Sequence, residues 1–156
     1  MTPVVTCCST DEVLRESLTA GLLLDLPGAV VVLHDLDPVA GTLRRLVHDA
    51  ERTWEDRIEP LAHTCLGCAL REDIVPAIRE VAFRRPTAIV LALPVTAEPV
   101  PVLEALVGLA EEGIVDIGGV LAASPPGISP GTCAVTTCSE SVGSPSRRTT
   151  TAAWGR

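Results

Sequence analysis

The chain has no lysine: all 12 of its basic residues are arginine. That excludes Schiff-base chemistry at a lysine and any lysine contact to nucleotide phosphates. Tyrosine is absent too, and aromatic residues are 2% of the chain (Trp54, Phe83 and Trp154), so the core must be aliphatic and no platform exists for stacking bases. Clustered positive charge is also missing. The formal net charge is −8, and the pairs Arg44-Arg45 and Arg84-Arg85 are too few and too scattered for a nucleic-acid groove. Direct nucleic-acid binding is not expected. Nor is there a long apolar run, since Leu18 to Leu33 is interrupted by Asp25, Pro27 and Gly28. The opening Met1-Thr2-Pro3-Val4-Val5 lacks the basic region of a secretory signal. A cytoplasmic protein with no membrane partner is the expectation. In that compartment six cysteines point to metal or redox chemistry rather than structural disulfides.

What is present is enough apolar residue, 47% of 156, to bury one domain core. Val4 to Thr6 and Ala29 to Leu33 read as strands, the second β-branched and buried on both faces. Between them, Glu12 to Leu24 carries a helical stripe of Val13, Leu14, Leu18 and Leu22, ending before Pro27-Gly28. Gly41 to Trp54 reads as an amphipathic helix with Leu43, Leu46 and Val47 inward and Arg44, Arg45 and Asp49 outward. Ile58 to Ala62 reads as a short strand, Glu72 to Arg85 as a helix with Pro76 in its first turn, and Thr87 to Leu93 as a buried strand. A helix over Val100 to Glu112 and a strand over Ile114 to Ala122 complete the series. This alternation predicts an α/β fold, a mostly parallel sheet with helices on both faces, whose ligands sit beyond the carboxyl ends of the strands. The domain is expected over residues 1–123. Residues 124–156, rich in Ser, Thr, Pro and Gly, read as a disordered tail.

The chemistry gathers in His63-Thr64-Cys65-Leu66-Gly67-Cys68-Ala69-Leu70-Arg71-Glu72-Asp73-Ile74. Cys65 and Cys68, three positions apart with Gly67 between them, can converge on one soft cation such as zinc. His63 is the third candidate ligand, with Glu72 and Asp73 in reserve. The same thiols would serve as a thiol–disulfide oxidoreductase pair, or as small buried hydrophobes. Glu72 and Asp73 place negative charge nearby, which disfavours thiolates and tilts the pair toward metal. Cys7-Cys8 ends the first strand and reads as buried packing, His34 as a satisfied loop histidine, and His48 as solvent-facing on a helix. Cys133 and Cys138 have ligand-like spacing in the tail, but nothing there to hold them in place.

Thr64 to Ile74 resembles the cysteine motif of the CobW-like metallochaperones, a branch of the SIMIBI-class P-loop GTPases. Their Cys-x-Cys-Cys is matched at its first and third positions by Cys65 and Cys68, with Gly67 in place of the middle cysteine. The run Ala69-Leu70-Arg71-Glu72-Asp73-Ile74 matches the segment that follows, and Ala88 to Val102 resembles the next strand, loop and helix. The likeness covers roughly residues 3–123 and is nearest to divergent, actinobacterial-type members. It implies the N-terminal part of a P-loop GTPase domain, a role in zinc homeostasis, and a client protein or ribosome-associated partner.

The departures are as informative. Where the family has its glycine-rich, lysine-bearing phosphate loop, this chain has Thr6-Cys7-Cys8-Ser9-Thr10-Asp11-Glu12, whose carboxylates repel a triphosphate. Leu91-Ala92-Leu93-Pro94 replaces the acidic Glu-x-x-Gly, and the guanine-reading Asn-Lys-x-Asp cannot exist without lysine. Hydrolysis of GTP is therefore not expected, and GTP binding is disfavoured. The family's C-terminal half does not continue beyond Ser124, so a truncated or frameshifted, non-functional fragment is a further alternative.

Overall fold

Apolar residues make Thr2–Ser9 the first strand, β1, with Val4 and Cys7 fully buried. The computed structural model describes residues 1–61, 66–95, 97–125 and 134–138. After β1 come α1 (Glu12–Asp25), β2 (Val30–Asp37), β3 (Thr42–His48), β4 (Thr53–Pro60) and α2 (Leu66–Phe83). Then follow β5 (Ile89–Ala92), α3 (Val100–Glu111), β6 (Val115–Ser124) and a short β7 (Ala134–Cys138).

The strands form one sheet of order β4-β3-β2-β5-β1-β6-β7. Its centre is parallel: β5 lies between β2 and β1, and β6 lies on the other side of β1. Both flanks are antiparallel, β3 and β4 beyond β2 and β7 beyond β6. The sheet is therefore mixed rather than mostly parallel. Helices do cover both faces. Leu18, Leu22 and Leu23 of α1 pack with Val31, Leu33, Val90 and Ala92 on one face. Ile74, Ile78 and Val81 of α2, with Val102 and Leu106 of α3, pack on Val4, Val30, Val32, Ile89 and Leu91 on the other. The chain thus leaves β1 over one face and β5 over the opposite one, so the switch point lies at the carboxyl ends of these neighbouring strands.

The antiparallel flank comes from a segment whose sequence reads as a helix. Leu43, Leu46 and Val47 fit a helical stripe, but Thr42 to His48 alternates as a strand with Leu43, Arg45 and Val47 buried. An arginine in the buried phase hid the period of two. Asp49 then turns the chain: its Oδ1 accepts from the amides of Glu51 and Arg52, both at 2.8 Å, an Asx turn that joins β3 to β4. His48 therefore lies on a strand, and the strand expected from Ile58 begins earlier, at Thr53.

Helix α2 begins at Leu66 rather than Glu72, so Pro76 lies inside it, exposed, rather than in its first turn. Val13 of α1 is exposed rather than part of the buried stripe. Near the other flank β6 carries a bulge against β1. A Cβ on Gly118 would come within 3.2 Å of the Val4 carbonyl, and Gly119 has φ +137°, so both glycines are required there. The tail expected over residues 124–156 has Ser124 in β6 and β7 over Ala134–Cys138, and otherwise lies outside the described residues. Among the described residues no helix is long and apolar enough to cross a membrane.

Candidate functional site at the carboxyl edge of the sheet

The polar side chains of this region come from β1, α1, β2, β3, β4 and α2, beginning with β1. After Ser9 the chain enters α1 through Asp11, whose Oδ1 accepts from the Leu14 amide at 2.9 Å. Ser9 Oγ accepts from the Asp11 amide at 3.0 Å and donates to the Ala123 carbonyl at 2.8 Å. The Leu14 amide at the start of α1, a position that in a phosphate-binding loop would face an anion, is thus met by the chain's own carboxylate.

One turn into α1, Arg15 turns inward and is 1% exposed. Its Nη1 donates to the carbonyls of His34 and Leu93, at 3.1 and 3.2 Å, and so ties together the ends of β2 and β5. Its Nη2 lies 2.5 Å from Asp35 Oδ1, an ion pair rather than a well-directed hydrogen bond. Arg15 shares a helical face with Leu18, Thr19 and Leu22, which is the sequence signal that it points at the sheet.

On the opposite face a second chain of charges runs from the sheet to α2. His34 is wholly buried on β2, not in a loop, and its Nε2 lies 2.7 Å from Asp73 Oδ2. Because an ionised carboxylate only accepts, Nε2 carries the proton, and buried Nδ1 has no partner. The other oxygen of Asp73 accepts from Arg45 Nη1 at 2.7 Å, and Arg45 Nη2 reaches Glu55 of β4 at 2.7 Å. His34 and Arg45 are paired in the β2–β3 ladder, so their side chains share the face toward α2. Arg45 is therefore buried and turned inward, the reverse of its assignment on an outer helix face.

Burial acts to raise the Asp73 pKa, but the bond and charge of His34, with those of Arg45, outweigh it and hold this carboxyl below 3.8. The sign of the linkage follows. A carboxyl depressed in the folded state stabilises it at pH above about 4, and that contribution is lost as pH falls through the folded pKa. Urea midpoints measured from pH 5 down to pH 2 are expected to fall more steeply for wild type than for Asp73→Asn.

These positions decide what chemistry is open. His34 has no exposed surface and so cannot meet a solvent-borne substrate, while Asp73, partly exposed, has both oxygens engaged by His34 and Arg45. The Cys7 thiol is pushed up to about 12, by burial first and by neighbouring Cys8 second, and is inert packing as its sequence context suggests. Cys68 is different: it is half-buried and stands in the first turn of α2. Gly67 is helical too, and a Cβ there would make only ordinary contact with Pro101 of α3, at 3.8 Å. His63 and Cys65 lie outside the described residues. Among the described residues no group of three or more His, Cys, Asp or Glu is placed to hold a metal ion.

The run Ala69 to Ile74 has a clear structural part. Leu70 and Ile74 are 1% and 0% exposed and anchor the start of α2 in the core, while Asp73 ties it to β2 and β3. Sequence reasoning missed Arg15 and misplaced Arg45, the two cations that organise this edge. No family model matches the chain, and no curated protein matches it.

Proposed function

We propose that the chain is a GTPase-derived, CobW-like protein of metal homeostasis that binds zinc through Cys65 and Cys68, with His63, and no longer hydrolyses GTP. The observation that carries this reading is the anchoring of α2. Leu70, Asp73 and Ile74 hold its first turns against the sheet, so Cys68 stands on a rigid start at the carboxyl edge, where α/β sheets bind ligands. Two thiols and an imidazole suit zinc, and as three donors they leave the fourth tetrahedral position to water or to a client side chain.

The loss of the motor rests on separate support. Asp11 caps α1 where a phosphate would dock, and no lysine is available to neutralise one. A polypeptide client or ribosome-associated partner is the role the family resemblance suggests for the bound metal.

Purified under reducing conditions, the chain is expected to carry zinc, to lose it on Cys65→Ser or Cys68→Ser, and to show no GTP turnover. Insulin reduction by a zinc-free chain, dependent on both thiols, would replace this reading with an oxidoreductase.

A further inference from the structure

At the opposite end of α2 from Cys68 a second feature has no part in the metal reading. Helix α2 covers the middle of the sheet, and the β3–β4 hairpin projects beyond it. Between them lies a cavity of about 330 Å³ lined by Arg45, Arg57 and Arg84, by Trp54, and by Glu55 and Glu80. That volume lies within the range of small-molecule sites. The geometry points to a binding site for a small oxyanion, a carboxylate or a phosphate, held by Arg57 and Arg84 beside Trp54.

The case begins with charge. In a chain of net charge −8, three guanidiniums converge on this groove, and a fourth, Arg52, lies 5.9 Å from the Trp54 ring centroid. Arg45 forms the fixed part: its single charge is shared between Asp73 and Glu55, so the anion must be held by Arg57 and Arg84. Arg57 and Arg84 are held far less firmly. Arg57 pairs with Glu59, and Arg84 lies 3.2 Å from Glu80, and in both pairs each side chain is about half exposed or more. Exposed pairs of this kind contribute little, so either arginine can turn to a ligand. A guanidinium fork matches the two oxygens of a carboxylate or phosphate, which is the reason for the proposed class.

Trp54 adds shape and a reporter. Its Nε1 donates to Asp49 at 2.9 Å, which fixes the ring, and Arg84 lies 4.7 Å from its centroid. The indole thus orients the cation that the anion would meet.

Trp154→Phe leaves Trp54 as the single tryptophan, so its emission reads the groove. In that background the chain is titrated at constant ionic strength with inorganic phosphate and, in a parallel arm, with succinate. A saturable change in Trp54 emission is expected with at least one anion, weakened about tenfold or more in Arg57→Gln/Arg84→Gln. Response to phosphate alone assigns a phosphoryl ligand, and response to succinate alone a carboxylate. No saturable response to either anion, or an equal response in the double variant, overturns the proposal. Where that double variant fails to fold, Glu80→Gln serves instead. It removes the competing helix partner of Arg84 and should tighten binding about threefold, whereas unchanged or weaker binding overturns the proposal.

Discussion

Replacing Arg15 with methionine is expected to lower the stability of the domain by about 3 kcal/mol, read as a fall in urea midpoint with the slope unchanged. Methionine preserves most of the buried volume, so the loss is electrostatic rather than a cavity effect. Two carbonyls, those of His34 and Leu93, lose their shared donor at the ends of β2 and β5, and Asp35 loses its cation. Asp35 is about one-third exposed, and water can solvate it once the arginine is gone. Asp35→Asn is accordingly expected to cost only about 1 kcal/mol, because the carbonyl contacts of Arg15 survive. Equal effects from the two variants would mean that the ion pair, and not the bridging of strand ends, is what Arg15 provides.

The second large effect belongs to Asp73. Asp73→Ala leaves wholly buried His34 without an acceptor and Arg45 with Glu55 as its single partner, at a cost of about 3–4 kcal/mol. Because Asp73 joins β2, β3 and α2, the loss should fall on the seating of the helix start as well as on global stability. Amide exchange should show this directly: amides in the first turns of α2 are expected to lose more protection than those of α3. A double-mutant cycle of Asp73→Ala with Arg45→Met should give a coupling of roughly 1–3 kcal/mol. Additive effects would show that the two residues act independently.

Much of the parallel centre of the fold was legible, because its strands are β-branched runs and its helices carry apolar stripes. Val30 to Val32 and Ile89 to Leu91 are buried as their composition demands. The hairpin was not legible, for a particular reason. Arg45 interrupts the apolar phase of β3, and its burial depends on Asp73, 28 residues away in the chain, which no local period reveals. The same remote pairing explains His34, which reads as a loop residue until Asp73 supplies its partner. Arg15 could have been found, since it falls on the same helical face as Leu18 and Leu22, but a charged residue in such a stripe is easily discounted. Of the candidate site, Cys68 stands in the first turn of α2, which begins inside the Cys-x-x-Cys segment rather than at Glu72. Asp73, named as a reserve ligand, has its two oxygens tied to His34 and Arg45.

That division between anchor and ligand is what a zinc titration examines most directly. Reduced wild-type protein, Cys65→Ser and Asp73→Asn are titrated with zinc against a competing chelator. The account predicts roughly one zinc per wild-type chain, none on Cys65→Ser, and retained stoichiometry on Asp73→Asn, whose side chain only seats the helix. A wild-type chain that takes up no zinc, or a Cys65→Ser chain that binds as much as wild type, would contradict it.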